Sequence, residues 1–347
     1  MATQAPPAVA TSSTSPWPKV AGAVVLLTVI ISVLLTAFAW PSVRSSVHDV
    51  PIAVAGPAAA TDQVSAALEQ RRPGAFDITR VTDTAAAEEL ILDREAYGAI
   101  DVSSGTPKVI IASAASTSVA QTLQAVAAAL GQAEGSSPTI AVRDLVPLPT
   151  DDPRGAGLAA GALPLVMGGM LAAALLTNLL RGTGRRVTGA LTFAVTGGLA
   201  MAAILQFWLG SLDGVYLANA GAIALTIAAT SLAILGLESL LGAAGLGLGA
   251  ATMLLIGNPL SGTATAPQML PGWSGALGQL LPPGAGGQLL RSTAFFDGNG
   301  ATHSVIVLLG WLAFGVALCL FSGLRARRPA ITPVVEATAP PKVHAAV

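Results

Sequence analysis

Six strongly apolar stretches of this chain contain no Asp, Glu, Lys or Arg, and five of them follow one another between residues 158 and 323. They span residues 20–40, 158–180, 187–209, 218–237, 240–256 and 304–323. Each is about 17 to 23 residues long, and about 20 apolar residues in a helix cross the hydrocarbon core of a bilayer. So much charge-free length cannot be hidden in one water-soluble core. The pattern predicts a multispanning α-helical membrane protein with six transmembrane helices. Between the first two spans lies a polar block, residues 41–157, that holds most of the acidic residues. It reads as a small extracellular α/β domain inserted between helices one and two.

Composition narrows the function classes. With 53% hydrophobic and only 10% charged residues among 347, the chain is too apolar for an ordinary soluble domain. A formal net charge of −1 leaves no global field to steer nucleic acid. Cys319 is the single cysteine, so a disulfide framework is excluded and the polar domain must fold on packing alone.

Basic residues set an expected orientation, because those flanking spans and in short loops stay on the cytoplasmic side. Arg181, Arg185 and Arg186 lie between spans two and three, Arg325, Arg327 and Arg328 follow the last span, and Lys19 precedes the first. Alternating six spans puts all three places on one side, with both termini cytoplasmic in the cell membrane. The expected boundaries are a disordered cytoplasmic tail at 1–18, helix one at 19–40, the extracellular domain at 41–157 and helices two to five at 158–256. A re-entrant outer loop at 257–303, helix six at 304–323 and a cytoplasmic tail at 324–347 complete the chain. Ala37-Phe38-Ala39 resembles a signal-peptidase site, but the apolar stretch is longer than a signal core and only one basic residue precedes it, which favours a retained anchor.

Inside the polar block the period changes. Residues 50–55 and 76–81 read as strands, 97–102 and 108–112 as a hairpin, and 139–146 as a last strand. Helices are expected from Thr61 and Asp62 to Arg72, from a Thr84 cap to Ala96, and over 116–132. The order is βαβαββαβ. Nothing in the block has catalytic spacing: His48 has no partner at metal-ligand distance in sequence, and Asp151-Asp152 reads as a solvated pair beside the membrane. No cofactor or metal is expected.

In the membrane half, residues 217–256 are too long for one span and must fold back, with the turn expected at 236–242. Glu238 there is either an interfacial turn residue or a contact to a cytoplasmic partner. The following segment is dense in Gly and Pro yet largely apolar. A solvated loop of such length would be more polar, so it is expected to dip back into the protein, where irregular backbone can be tolerated. Gly257, Asn258, Pro259 and Gly262 open it, and Pro282, Pro283 and Gly284 stiffen its middle. Arg291 is the only full charge between Leu260 and Phe296; it should bind loop carbonyls, a carboxylate such as Asp297 or a lipid phosphate. These residues are candidates for a rigid plug that either staples the fold or gates it.

The motif Gly257-Asn-Pro-Leu-Ser-Gly262, followed by Leu270-Pro-Gly-Trp273 and Leu281-Pro-Pro-Gly284, resembles the last outer loop of ABC-2 type transporter permeases, in particular the phage-infection-protein (Pip)-like group. The anchor–ectodomain–five-span layout is similar too, over residues 20 to 325, although Pip-like ectodomains are often far longer. The resemblance implies an exporter subunit energised by a separate cytoplasmic ABC ATPase and paired with a second permease half. It also implies that Arg181, Arg185 and Arg186 lie in the loop the ATPase touches. The chain has no Walker A loop of its own, since each of its three lysines, Lys19, Lys108 and Lys342, stands between Pro and Val. It is thus expected to be no enzyme, and to move a hydrophobic or amphipathic substrate. The alternatives are an ion-coupled carrier, disfavoured by the charge-free spans, and a non-transporting scaffold or surface receptor displaying the domain.

Overall fold

The structure is a computed structural model and describes residues 15–133 and 140–326. Residues 1–14 of the tail expected at 1–18, Thr139, and Arg327 and Arg328 with the rest of the last tail lie outside the described residues, and the first helix already begins at Trp17. The chain is mostly helical, with five helices long and apolar enough to cross a membrane. Helix α1 spans Trp17–Arg44, α5 Ala156–Leu179, α6 Thr183–Ala203, α7 Tyr216–Leu241 and α11 Thr302–Ala326.

Between α1 and α5 the chain forms β1 (Val50–Ala55), α2 (Ala58–Arg71), β2 (Phe76–Val81), α3 (Thr84–Leu92), β3 (Gly98–Asp101), β4 (Lys108–Ile111), α4 (Thr117–Ala133) and β5 (Ala141–Asp144). The sheet order is β2-β1-β3-β4-β5, all parallel neighbours except the β3/β4 hairpin. Alternation along β1 explains the layers. Val50 and Ile52 point to one core with Leu68 of α2 and Leu123 of α4, whereas Ala53 and Ala55 point to the other with Ile91 of α3. Ile52, Ile91, Ile100 and Leu123 are fully buried, each contributing about 1.5–3 kcal/mol by leaving water.

Helix starts differ from the expected ones. The α2 helix begins at Ala58 after Pro57, and the Thr61 hydroxyl donates back to Ala58 O instead of capping. Asp83, not Thr84, caps α3 by accepting from Ala86 N–H at 3.0 Å, because its backbone is extended there while Thr84 is already helical. Asp152 is not solvated: it is 8% exposed and accepts from the Ala156 and Gly157 N–H groups at the start of α5.

Helix α7 is the centre of the bundle. Of its apolar window 78% is buried, against 33% for α5, 22% each for α6 and α11, and none for α1. Small residues let the neighbours approach, as lipid gives apolar side chains little reason to associate. A Cβ on Gly169 of α5 would come within 2.7 Å of Thr230 Cβ, and one on Gly236 of α7 within 2.7 Å of Gly315 O in α11.

The fold-back expected at 236–242 is present, at the last residue of that range. Helix α7 continues through Glu238 to Leu241, and the turn is a single residue, Gly242, at φ +62°. Beyond it the chain forms α8 (Ala243–Ala251) and a π-helical stretch, Thr252–Gly257, only 15 residues together. At about 1.5 Å per residue that is some 22 Å, short of a bilayer core. The α6 helix also ends in a π-helical stretch, Ile204–Trp208.

Candidate functional site

After Gly257 the chain runs through a short 3₁₀ turn, Pro267–Met269, to two further helices, α9 (Ser274–Gln279) and α10 (Pro282–Phe295). Pro282 sits at the first position of α10, where a missing N–H costs nothing. The two helices form a hairpin that re-enters the bundle. Trp311, in the third turn of α11, donates its indole N–H to Leu280 O at 2.8 Å, and Gly286 packs on Thr226 in the third turn of α7. The hairpin tip therefore reaches about 14 Å along those helices from their domain-side ends.

The sequence-selected residues converge on this hairpin. Gly257 meets Pro283, whose Cγ lies 2.7 Å from where a Cβ would stand on the glycine. Gly284 abuts Gly278 O, so α9 and α10 touch backbone to backbone. Gly262 turns at φ +65° against Pro267. Asn258 N–H donates to Met253 O at 2.9 Å and closes the π-helical stretch, with Pro259 half-buried behind it. Pro282, Pro283 and Arg291 are buried. Of the three partners expected for Arg291, the loop carbonyl is the one observed: its Nη2 donates to Thr263 O at 2.9 Å.

The α/β domain rests on the hairpin. Ala266 and Met269 complete the core on one face of the sheet, and Phe296 completes the core on the other. Polar contacts fasten the seam. Ser116 Oγ donates to Thr265 O, Ser45 Oγ to Met269 O, and Tyr97 Oη to Gln268 Oε1. Arg94, between α3 and β3 at φ +63°, donates to Gln288 O (3.0 Å), Ser292 Oγ (2.6 Å) and Gln288 Oε1 (2.6 Å). Its guanidinium lies 5.2 Å from the centre of the Phe296 ring. Burial lowers the Arg94 pKa and raises that of the Tyr97 hydroxyl. Arg291 is pushed down to about 10, first by burial and then by Arg94. Arg291 therefore stays charged at neutral pH, and the Tyr97 phenol stays neutral.

A second polar network crosses the bundle just below the seam. Asn219 of α7, fully buried, donates to Gln206 Oε1 and Asp213 O and accepts from Thr293 Oγ1 of α10 at 2.8 Å. Arg94, Gln288 and Asn219 carry no motif in the sequence. Arg94 sits in an ordinary Asp-Arg-Glu turn, and its partners are some 200 residues away.

At the far end, the basic cluster divides. Arg185 and Arg186 lie in the first turn of α6, not in a loop, and Arg186 is engaged internally. It donates to Glu238 Oε2, Thr177 O and Leu180 O, each at 2.9 Å. Glu238 is thus an intramolecular partner in the last turn of α7. Arg181 and Arg185 are exposed. Beside them an apolar groove of about 700 Å³ opens between α6 and α11, lined by Val187, Val316, Cys319 and Leu320 among others. Compared with family models, with curated proteins and with solved structures, the chain matches none.

Proposed function

We propose that this chain is the permease subunit of an ABC-2 type exporter, driven by a separate cytoplasmic ATPase and moving a hydrophobic or amphipathic substrate outward. The observation that carries this reading is the re-entrant α9–α10 hairpin, wedged beside the central helix α7 and fastened to the α/β domain by Arg94. A domain displayed as a passive receptor needs no such attachment to buried helices. In this reading the hairpin closes the outer mouth, α8 with its π-helical end acts as the short fifth span, and the α/β domain is extracellular. A second permease half completes the pathway within the lipid bilayer. Buried charges among the described residues are confined to Asp101, Asp152 and Arg291, none inside the five long apolar helices, which suits apolar cargo better than proton relay.

The ATPase docks on the exposed Arg181 and Arg185, while Arg186 holds α5, α6 and α7 together. Co-purification of this chain from its native membrane with an ATP-binding-cassette protein tests the assignment. Arg181→Glu with Arg185→Glu should abolish the complex and leave the Arg186–Glu238 contact and membrane insertion intact. An unaltered complex would remove the docking role.

A further inference from the structure

The seam between the α/β domain and α10 holds two guanidinium groups, and among the described residues no carboxylate pairs with either. Arg291 is 6% exposed and gives one hydrogen bond, to Thr263 O. Its Nε–H is buried and finds no acceptor among the described residues, and neither does the side-chain amide Nε2 of Gln288. Gln288 cannot turn its amide round, because Oε1 is held by Arg94 Nη2 at 2.6 Å. Among the described residues no Asp or Glu forms an ion pair with Arg94 or Arg291. Tyr97 supplies no counter-charge either, since its hydroxyl is neutral and donates to Gln268 Oε1.

These groups stand together. Gln288, Arg291 and Ser292 are spaced by three and four residues, which puts them on one face of α10. Arg94 bonds two of the three and lies close enough to repel the third. The seam therefore presents hydrogen-bond donors and positive charge. Like charges held dry without an opposite charge are strongly disfavoured, and buried N–H groups without acceptors are rare enough to need an explanation. One kind of ligand answers both: an anion with several acceptor oxygens, which guanidinium forks bind well. We propose that Arg94, Gln288 and Arg291 bind an oxyanion of the phosphate or carboxylate type that ties the α/β domain to the re-entrant hairpin. The site does not depend on the transport reading.

The test uses the full-length protein in detergent, stripped of lipid, with thermal unfolding followed at constant pH and ionic strength. Replacing chloride by inorganic phosphate or acetate should raise the midpoint saturably, by about 3 °C or more for the better anion. Arg291→Leu should abolish the response. If that variant fails to fold, Gln288→Met, which leaves both charges in place, should weaken the apparent anion affinity by about tenfold. Phosphatidic acid added to the detergent distinguishes the sources. Loss of the response to free anion identifies a lipid headgroup as occupant, and persistence identifies a soluble anion; either outcome supports the site. A midpoint indifferent to phosphate, acetate and phosphatidic acid would overturn it, as would a variant that responds like the wild type.

Discussion

Arg94 of the α/β domain donates to the backbone carbonyl of Gln288 in the re-entrant helix α10, across 3.0 Å and 194 residues of sequence. This contact, with the two side-chain bonds beside it, makes the domain and the hairpin one mechanical unit. Arg94→Ala removes three charge-assisted bonds and leaves Gln288 Oε1 and Ser292 Oγ without that donor. The expected loss is about 2–4 kcal/mol, read as a lower unfolding midpoint together with faster amide exchange in α10. An unchanged exchange rate in α10 would mean the domain is only resting there.

The hairpin depends on backbone contact between α9 and α10. A side chain at Gly284 would run into Gly278 O, so Gly284→Val should cost at least about 2 kcal/mol. Gly310 in α11 has nothing within 4 Å of where a Cβ would stand. Gly310→Ala should therefore be neutral or stabilising by up to about 1 kcal/mol, since alanine is the better helix former. Equal effects of the two changes, measured by thermal unfolding, would contradict the close contact.

At the other end, Glu238→Gln leaves Arg186 with its two carbonyl acceptors but without its ion pair. Side-chain exposures of 23% and 14% place the pair between surface and buried bridges, so the expected cost is about 1–2 kcal/mol. Arg181→Gln, on an exposed side chain, should stay within about 0.5 kcal/mol. Chemical or thermal unfolding of the two variants side by side decides the difference.

Sidedness follows from the proposal and is open to labelling. Ser104 and Asn299 are exposed at the α/β-domain end and Arg181 at the opposite end. Ser104→Cys and Asn299→Cys should react with an impermeant maleimide on intact cells, and Arg181→Cys only after permeabilisation. The native Cys319 is buried and gives a low background. Labelling of Arg181→Cys from outside would invert the topology.

Acid should loosen the α/β domain. Burial alone would raise the Asp101 pKa, but hydrogen bonds from Ser103 and Thr84 outweigh it and hold the carboxyl below its ordinary value. A lowered folded-state pKa contributes stability that is present above the unfolded-state value, about 3.9. That contribution is lost as pH falls through the folded value. Stability of the domain should thus decline below about pH 4, and Asp101→Asn should flatten that decline.

The sequence made the α/β order legible because its strands alternate and its turns carry Pro and Gly. Residues 50–55 and 76–81 are strands at the expected bounds. It also marked the Gly/Pro-rich segment as something other than a solvated loop. Helix starts were less legible, since Pro57 and Asp83 compete locally with equally good capping residues a few positions on. The fold-back at Gly242 and the end of the fifth apolar run near Gly257 were legible, but hydropathy does not register the π-helical form of its last turn. The domain–hairpin seam was invisible. Its anchor, Arg94, takes a positive φ without glycine, and its partners are distant in sequence. Charge counting likewise could not separate Arg186, turned inward to Glu238, from Arg181 and Arg185 beside it.

The proposed function is tested most directly by the rate of ATP hydrolysis in vesicles by an ATP-binding-cassette protein that co-purifies with this chain, measured with and without the chain. The expected result is a rate that rises on assembly, falls to that of the free ATPase with Arg181→Glu plus Arg185→Glu, and is lowered by Gly284→Val in protein that still inserts. A rate that is the same with the wild-type chain, with either variant and with no chain at all would contradict the permease assignment.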